Sequence, residues 1–188
     1  MRVPFDQIYT SVFLITEGKD MILVDCATTA HDVDDCIVPA LEELGIHPHD
    51  LTMMILTHRH SDHAGGLARM RELVPQLRVV TEERAVGNGI VIYPLPGHTE
   101  DSLGVLDLRT NTLISGDGLQ GAGVDRYRCS LKNPVAYVNT LEKLRGDERI
   151  KNVLFSHAYE PWNEDTAFGR EKVLSCIEEC KKYIGEKK

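Results

Sequence analysis

The sequence predicts a layered α/β fold in one domain, residues 1–188. Three observations carry that expectation. Short apolar runs suited to strands are interleaved with segments of helical periodicity along the chain. A length of 188 residues with 42% hydrophobic and 27% charged residues is the balance of a globular chain that builds its own core. No internal repeat, low-complexity tract or Gly/Ser/Pro-rich linker divides it.

The elements follow in order. Residues 11–16 are a β-rich run, Glu17-Gly18-Lys19-Asp20 reads as a hairpin turn, and 21–25 is a buried strand. Val33, Ile37, Ala40, Leu41 and Leu44 have helical spacing over 32–44, with Gly45 as the stop. Pro39 lies inside that helix and must cost it a backbone hydrogen bond. Residues 53–57 form an apolar run suited to a central strand, and a helix is expected over 64–74. Strands follow at 78–81, 89–93, 102–107 and 112–115, with Asn111 supplying turn chemistry. A helix at 134–144, a strand at 152–156 and a long helix at 165–183, with Val173, Leu174, Ile177 and Cys180 on one face, complete the chain.

Twenty-one basic against 29 acidic residues give a net charge of −8, which disfavours a phosphate backbone as partner. No segment is apolar enough to span a bilayer, and residues 1–10 have no signal-peptide core. Cys26, Cys36, Cys129, Cys176 and Cys180 are odd in number and form no CxxC pair, so a reducing, cytoplasmic setting is expected. Cys176 and Cys180, one helical turn apart, read as helix packing.

The chemistry concentrates in Thr57-His58-Arg59-His60-Ser61-Asp62-His63-Ala64-Gly65-Gly66, directly after a buried strand. Four metal-competent side chains in six residues cannot be plain core, because burying them without partners costs several kcal/mol. His58 and His60 can point the same way, Asp62 and His63 towards a neighbouring position, and the two glycines allow a tight turn before the helix. His98, Asp117 and His157 each stand in a loop following a strand.

With these residues in place the chain resembles the metallo-β-lactamase-fold hydrolase superfamily, whose motif is His-x-His-x-Asp-His followed by a lone His, a lone Asp and a final His. The resemblance runs from the strand ending at Asp25 to His157. It implies a four-layer αβ/βα sandwich with a dinuclear metal site. His58, His60 and His98 would bind one ion, Asp62, His63 and His157 the other, and Asp117 would bridge them. A nitrogen-rich set with two carboxylates suits Zn²⁺, and the same set can hold iron or manganese. Two such ions would share a hydroxide that attacks a small carbonyl substrate, a thioester or lactone by preference. Asp62 and Asp117 would be catalytic, with Asp62 also orienting the hydroxide. A phosphodiester or β-lactam substrate is the alternative on the same site, and a metal-binding or sensing protein without turnover is the rival from another class.

The lesser candidates are read more conservatively. Asp25 is either a loop cap or an acceptor supporting the motif loop. Arg126, Tyr127, Arg128 and Tyr159, with Lys132, are candidate substrate contacts. His31, His47 and His49 read as surface residues. The length is expected to leave no room after His157 for the extra helical domain of the family's glutathione-thioester hydrolases. His60 in place of Glu, and no flavin module, argue against the oxygen-reducing diiron branch.

Overall fold

Residues 1–5, 8–87, 89–122, 130–161 and 163–185 are described by a computed structural model, in two units, Met1–Thr81 and Glu82–Lys188. The first unit opens with an antiparallel pair, β1 (Arg2–Phe5) and β2 (Ile8–Ser11). Its inward signature is slight: Val3 is buried between exposed Arg2 and Pro4, too short an alternation to announce a strand. The hairpin β3 (Phe13–Glu17) and β4 (Asp20–Val24) turns at Gly18, whose φ of +58° suits glycine. β5 (Met53–Ile55) and β6 (Arg78–Val80) continue the sheet in parallel, in the order β3-β4-β5-β6. Every residue of β5 is buried, as befits a central parallel strand.

The first helix begins two residues before its expected start. Thr29 accepts from the Asp32 amide and Asp32 answers the Thr29 amide at 2.8 Å, a capping box for α1 (Ala30–Asp32). Pro39 does not break the helix. A π-helical turn, Val33–Ile37, precedes α2 (Val38–Glu43), and the Val38 amide donates to the Val33 carbonyl five residues back. The wider turn absorbs the donor and the space that the proline ring takes away. Leu44, expected on the apolar face, is 66% exposed. The helix ends before it, with Ile46 N–H to Leu41 O and Gly45 N–H to Glu42 O. This Schellman closure swings Leu44 outward and buries Ile46 beside Leu41. The helix expected at 64–74 is two short ones, α3 (Ser61–Ala64) and α4 (Leu67–Leu73), with Gly65-Gly66 between them.

The second unit is a six-stranded sheet in the order β12-β11-β10-β9-β8-β7. Its strands are β7 (Ala85–Gly87), β8 (Ile90–Pro94), β9 (Leu103–Asp107), β10 (Thr112–Ile114), β11 (Asn152–Leu154) and β12 (Thr166–Phe168). All pairs are antiparallel except β10 with β11. Helix α5 (Pro134–Gly146) is capped by Asn133 and carries proline in its first turn. Residues 165–168, expected to open the last helix, contain β12, whose Ala167 is buried opposite Val153. Helix α6 (Arg170–Gly185) starts only after Gly169, at φ +86°. Pairing with a strand already in place overrides the helical period there.

Tyr137, Leu141 and Leu144 of α5 pack with Val173, Cys176, Ile177 and Cys180 of α6 over Leu106, Leu113 and Val153. Burial pushes the Cys176 thiol up to about 12 and the Cys180 thiol to about 11. Thiolate is the reactive form. At pH 8, site-resolved alkylation is therefore expected to leave both unmodified over a time that labels them fully in denatured protein. No helix among the described residues is long and apolar enough to cross a membrane.

Candidate metal centre

The first unit carries the His-rich segment between β5 and α4. The extended backbone of His60 opens α3, so Asp62 and His63 fall in its single turn. His58 Nε2 lies 3.1 Å from His60 Nδ1, and His63 Nε2 lies 3.3 Å from Asp62 Oδ2. The rings of His58 and His63 are 4.1 Å apart between centroids. Asp25 organises this group from beneath. Its carboxylate accepts from the Thr57 amide at 2.7 Å, from the Thr57 hydroxyl at 2.8 Å and from His63 Nδ1 at 2.8 Å. Of the two readings of Asp25, support of the motif loop is the one with these bonds behind it.

The segment after β4 is stitched to the motif. The Cys26 amide donates to the His63 carbonyl and the Gly66 amide to the Ala27 carbonyl. Asp25 and Ala27 take left-handed φ values of 64° and 60°, a conformation costing about 1–3 kcal/mol at a non-glycine residue. Gly65 and Gly66 have ordinary helical φ values of −67° and −76°. Turn flexibility is not their role. A Cβ on Gly65 would stand 1.9 Å from the Thr28 carbonyl oxygen, and one on Gly66 2.1 Å from that of Cys26. They supply room for two backbones to meet.

The second unit places its ligand-type residues in three loops. Asp117 lies in a 3-10 turn, Gly116–Gly118, after β10. Its Oδ2 is 3.2 Å from His98 Nε2 and its Oδ1 3.3 Å from His157 Nε2, so one carboxylate faces two imidazoles. His98 Nδ1 lies 2.6 Å from the Ser130 carbonyl oxygen. The loop bearing His98 docks on the start of α5 through Asn133 N–H to Gly97 O and Thr140 Oγ1–H to Pro96 O. Gly97 is needed there, because at φ +144° its Cβ would meet Tyr137 Cα at 2.5 Å.

The donor chemistry fits a divalent cation. Ser130 O and the Asp25 carboxylate only accept, so Nδ1 of His98 and His63 carries a proton and Nε2 is the nitrogen left to take a cation. Each of these Nε2 atoms lies beside a carboxylate oxygen, a pairing of nitrogen and oxygen donors that suits a shared cation. The 3.1–3.3 Å separations match the edge of a tetrahedron with Zn–N bonds of 2.0–2.1 Å, which is about 3.3 Å. Each of the seven residues belongs to a buried or partly buried donor cluster of the kind that holds a metal ion.

The other candidates are placed as follows. Tyr159 is buried, and its hydroxyl donates to Gln120 Oε1 at 3.0 Å. Lys132 is exposed. Arg126, Tyr127 and Arg128 lie outside the described residues, as does Cys129. His31, His47 and His49 are exposed, as expected. Sequence reasoning missed Ser115, whose buried hydroxyl reaches the Leu119 carbonyl at 3.0 Å and braces the Asp117 turn. It also missed Gln120, which is buried beside that turn. Neither carries a ligand-type group, and only the turn's own geometry reveals them.

Comparison with known proteins agrees with the fold. A family model described as anti-Pycsar protein Apyc1 matches residues 5–75. A hydroxyacylglutathione hydrolase of Pseudomonas savastanoi pv. phaseolicola is 30% identical over 159 residues, covering 69% of this chain and 61% of that enzyme. An atrochrysone carboxyl ACP thioesterase of Pseudocercospora fijiensis is 25% identical over 130 residues, covering 61% of this chain and 38% of its own. The chain thus spans less than two thirds of the length of these relatives. A metallo-β-lactamase of Pseudomonas aeruginosa, solved in its mono-zinc form, superposes with a TM-score of 0.69 at 16% identity, over 98% of this chain and 96% of that one. The chain has the α/β metallo-β-lactamase fold of these solved structures.

Proposed function

We propose that the protein is a dinuclear metal-dependent hydrolase of small carbonyl substrates, with thioesters or lactones preferred. The observation that carries this is the double service of Asp117, whose two oxygens each face a separate histidine. His58, His60 and His98 would hold one ion, and Asp62, His63 and His157 the other, with Asp117 shared. Bound divalent ions would supply Lewis acidity and a water of lowered pKa. The chain's own part is positional. Asp25 and Ser130 O engage Nδ1 of His63 and His98, so that Nε2 would be the nitrogen that binds an ion. Buried walls around the carboxylates keep the local dielectric low and strengthen each charge contact. The names of the relatives, a hydroxyacylglutathione hydrolase and a thioesterase, favour the thioester within this class.

Metal-reconstituted protein is expected to hydrolyse chromogenic thioesters or lactones in preference to phosphodiesters and β-lactams, with activity abolished by chelator. Two metal equivalents bound without turnover of any of the four would overturn the catalytic reading in favour of a metal-binding role.

A further inference from the structure

We propose that Gln120 and Tyr159 are positioning residues that clamp the Asp117 turn to the segment carrying His157. The inference rests on the metal reading above. Strands β10 and β11 are parallel neighbours, Ile114 opposite Leu154. Asp117 and His157 stand three residues beyond those partners, so the two loops leave one edge of the sheet side by side. Gln120 lies three residues past Asp117, and Tyr159 two past His157.

Gln120 is 1% exposed and uses both ends of its amide. Its Nε2 donates to the Asp117 carbonyl at 3.4 Å, and its Oε1 accepts from the Tyr159 hydroxyl at 3.0 Å. The orientation is forced, because a backbone carbonyl can only accept, so the NH₂ end must face Asp117. The Gln120 backbone carbonyl in turn accepts from the Cys180 thiol at 3.5 Å, which ties the same residue to α6. One buried residue thus joins the loop of one candidate ligand and the loop of another through its side chain, and the C-terminal helix through its backbone carbonyl. A polar group this deep must be matched on all sides or lose the benefit of its bonds. Its geometry is therefore transmitted to Asp117.

The test uses full-length Tyr159→Phe and Gln120→Leu, with Ile150→Val as a packing control in the same unit. Affinity for Zn²⁺ is read by chelator competition and ligand geometry by the visible spectrum of the Co²⁺-substituted protein. Tyr159→Phe is expected to weaken at least one Zn²⁺ equivalent about 10- to 100-fold and to shift the Co²⁺ bands. Ile150→Val should change neither at a similar loss of melting temperature. If Gln120→Leu does not fold, Tyr159→Phe decides alone. Unchanged affinity and spectrum in Tyr159→Phe would overturn the clamp. A parent protein that binds neither Zn²⁺ nor Co²⁺ would overturn the metal reading itself, and the clamp with it.

Discussion

Asp117→Asn is expected to lower kcat/KM by more than about 10³-fold, some 4 kcal/mol of transition-state stabilisation, while leaving the metal-free protein at least as stable as the parent. The two halves of this expectation have one cause. Asp117 is 7% exposed and faces His98 Nε2 and His157 Nε2 at 3.2 and 3.3 Å. Without a cation, burial of the carboxylate carries a desolvation cost. On the proposed assignment its negative charge would serve both ions, one beside each histidine. Asparagine keeps the shape and one oxygen but gives up the charge, so metal stoichiometry and turnover should fall together as the metal-free melting temperature holds or rises. A large loss of metal-free stability would instead make Asp117 a structural group, and would remove the main support for a shared ligand. Steady-state kinetics, metal analysis and thermal melting on the same preparation separate these outcomes.

The residues of the candidate centre stand out in the sequence because ligand chemistry is written in residue type. His58, His60, Asp62 and His63 in six positions have no apolar role to fill, and His98, Asp117 and His157 each follow a strand. What props them up was less legible. Gln120 and Ser115 carry no ligand chemistry and matter only through a turn that sequence spacing does not display. The errors of secondary structure have the same origin. Residues 166–168 become a strand because β11 offers an edge at Asn152–Leu154, a partner twelve or more residues away that local periodicity cannot see. The π turn at Val33–Ile37 is a local accommodation of Pro39, and the sequence announces the conflict without its resolution. Elements set by local chemistry, such as the Gly45 helix stop and the Gly18 hairpin, came out where expected.

Gly65→Ala separates two accounts of the glycine pair by the sign of its effect. Gly65 has φ −67° and ψ −29°, which is helical backbone. On propensity alone, alanine there would stabilise by about 0.5–1 kcal/mol. On space, it must destabilise: the new Cβ would stand 1.9 Å from Thr28 O and 2.5 Å from Ser61 O, and both atoms are backbone. No rotamer change can relieve that overlap. The segment after β4 must part from the motif, and it is held by Cys26 N–H to His63 O at 2.8 Å and by Asp25 to His63 Nδ1 at 2.8 Å. The expected loss is about 3 kcal/mol or more, at the upper end of overpacking costs. Gly45→Ala is the contrast: its φ of +73° is strained but nothing lies within 4 Å, so about 1–2 kcal/mol is expected. Urea unfolding of the metal-free variants measures both. A stabilised Gly65→Ala would mean that segments 26–28 and 63–66 are not packed backbone to backbone. A loss larger than that of Gly45→Ala would tie the His63 ring to the same close approach, since the contact that admits no Cβ is the one that brings Asp25 under His63.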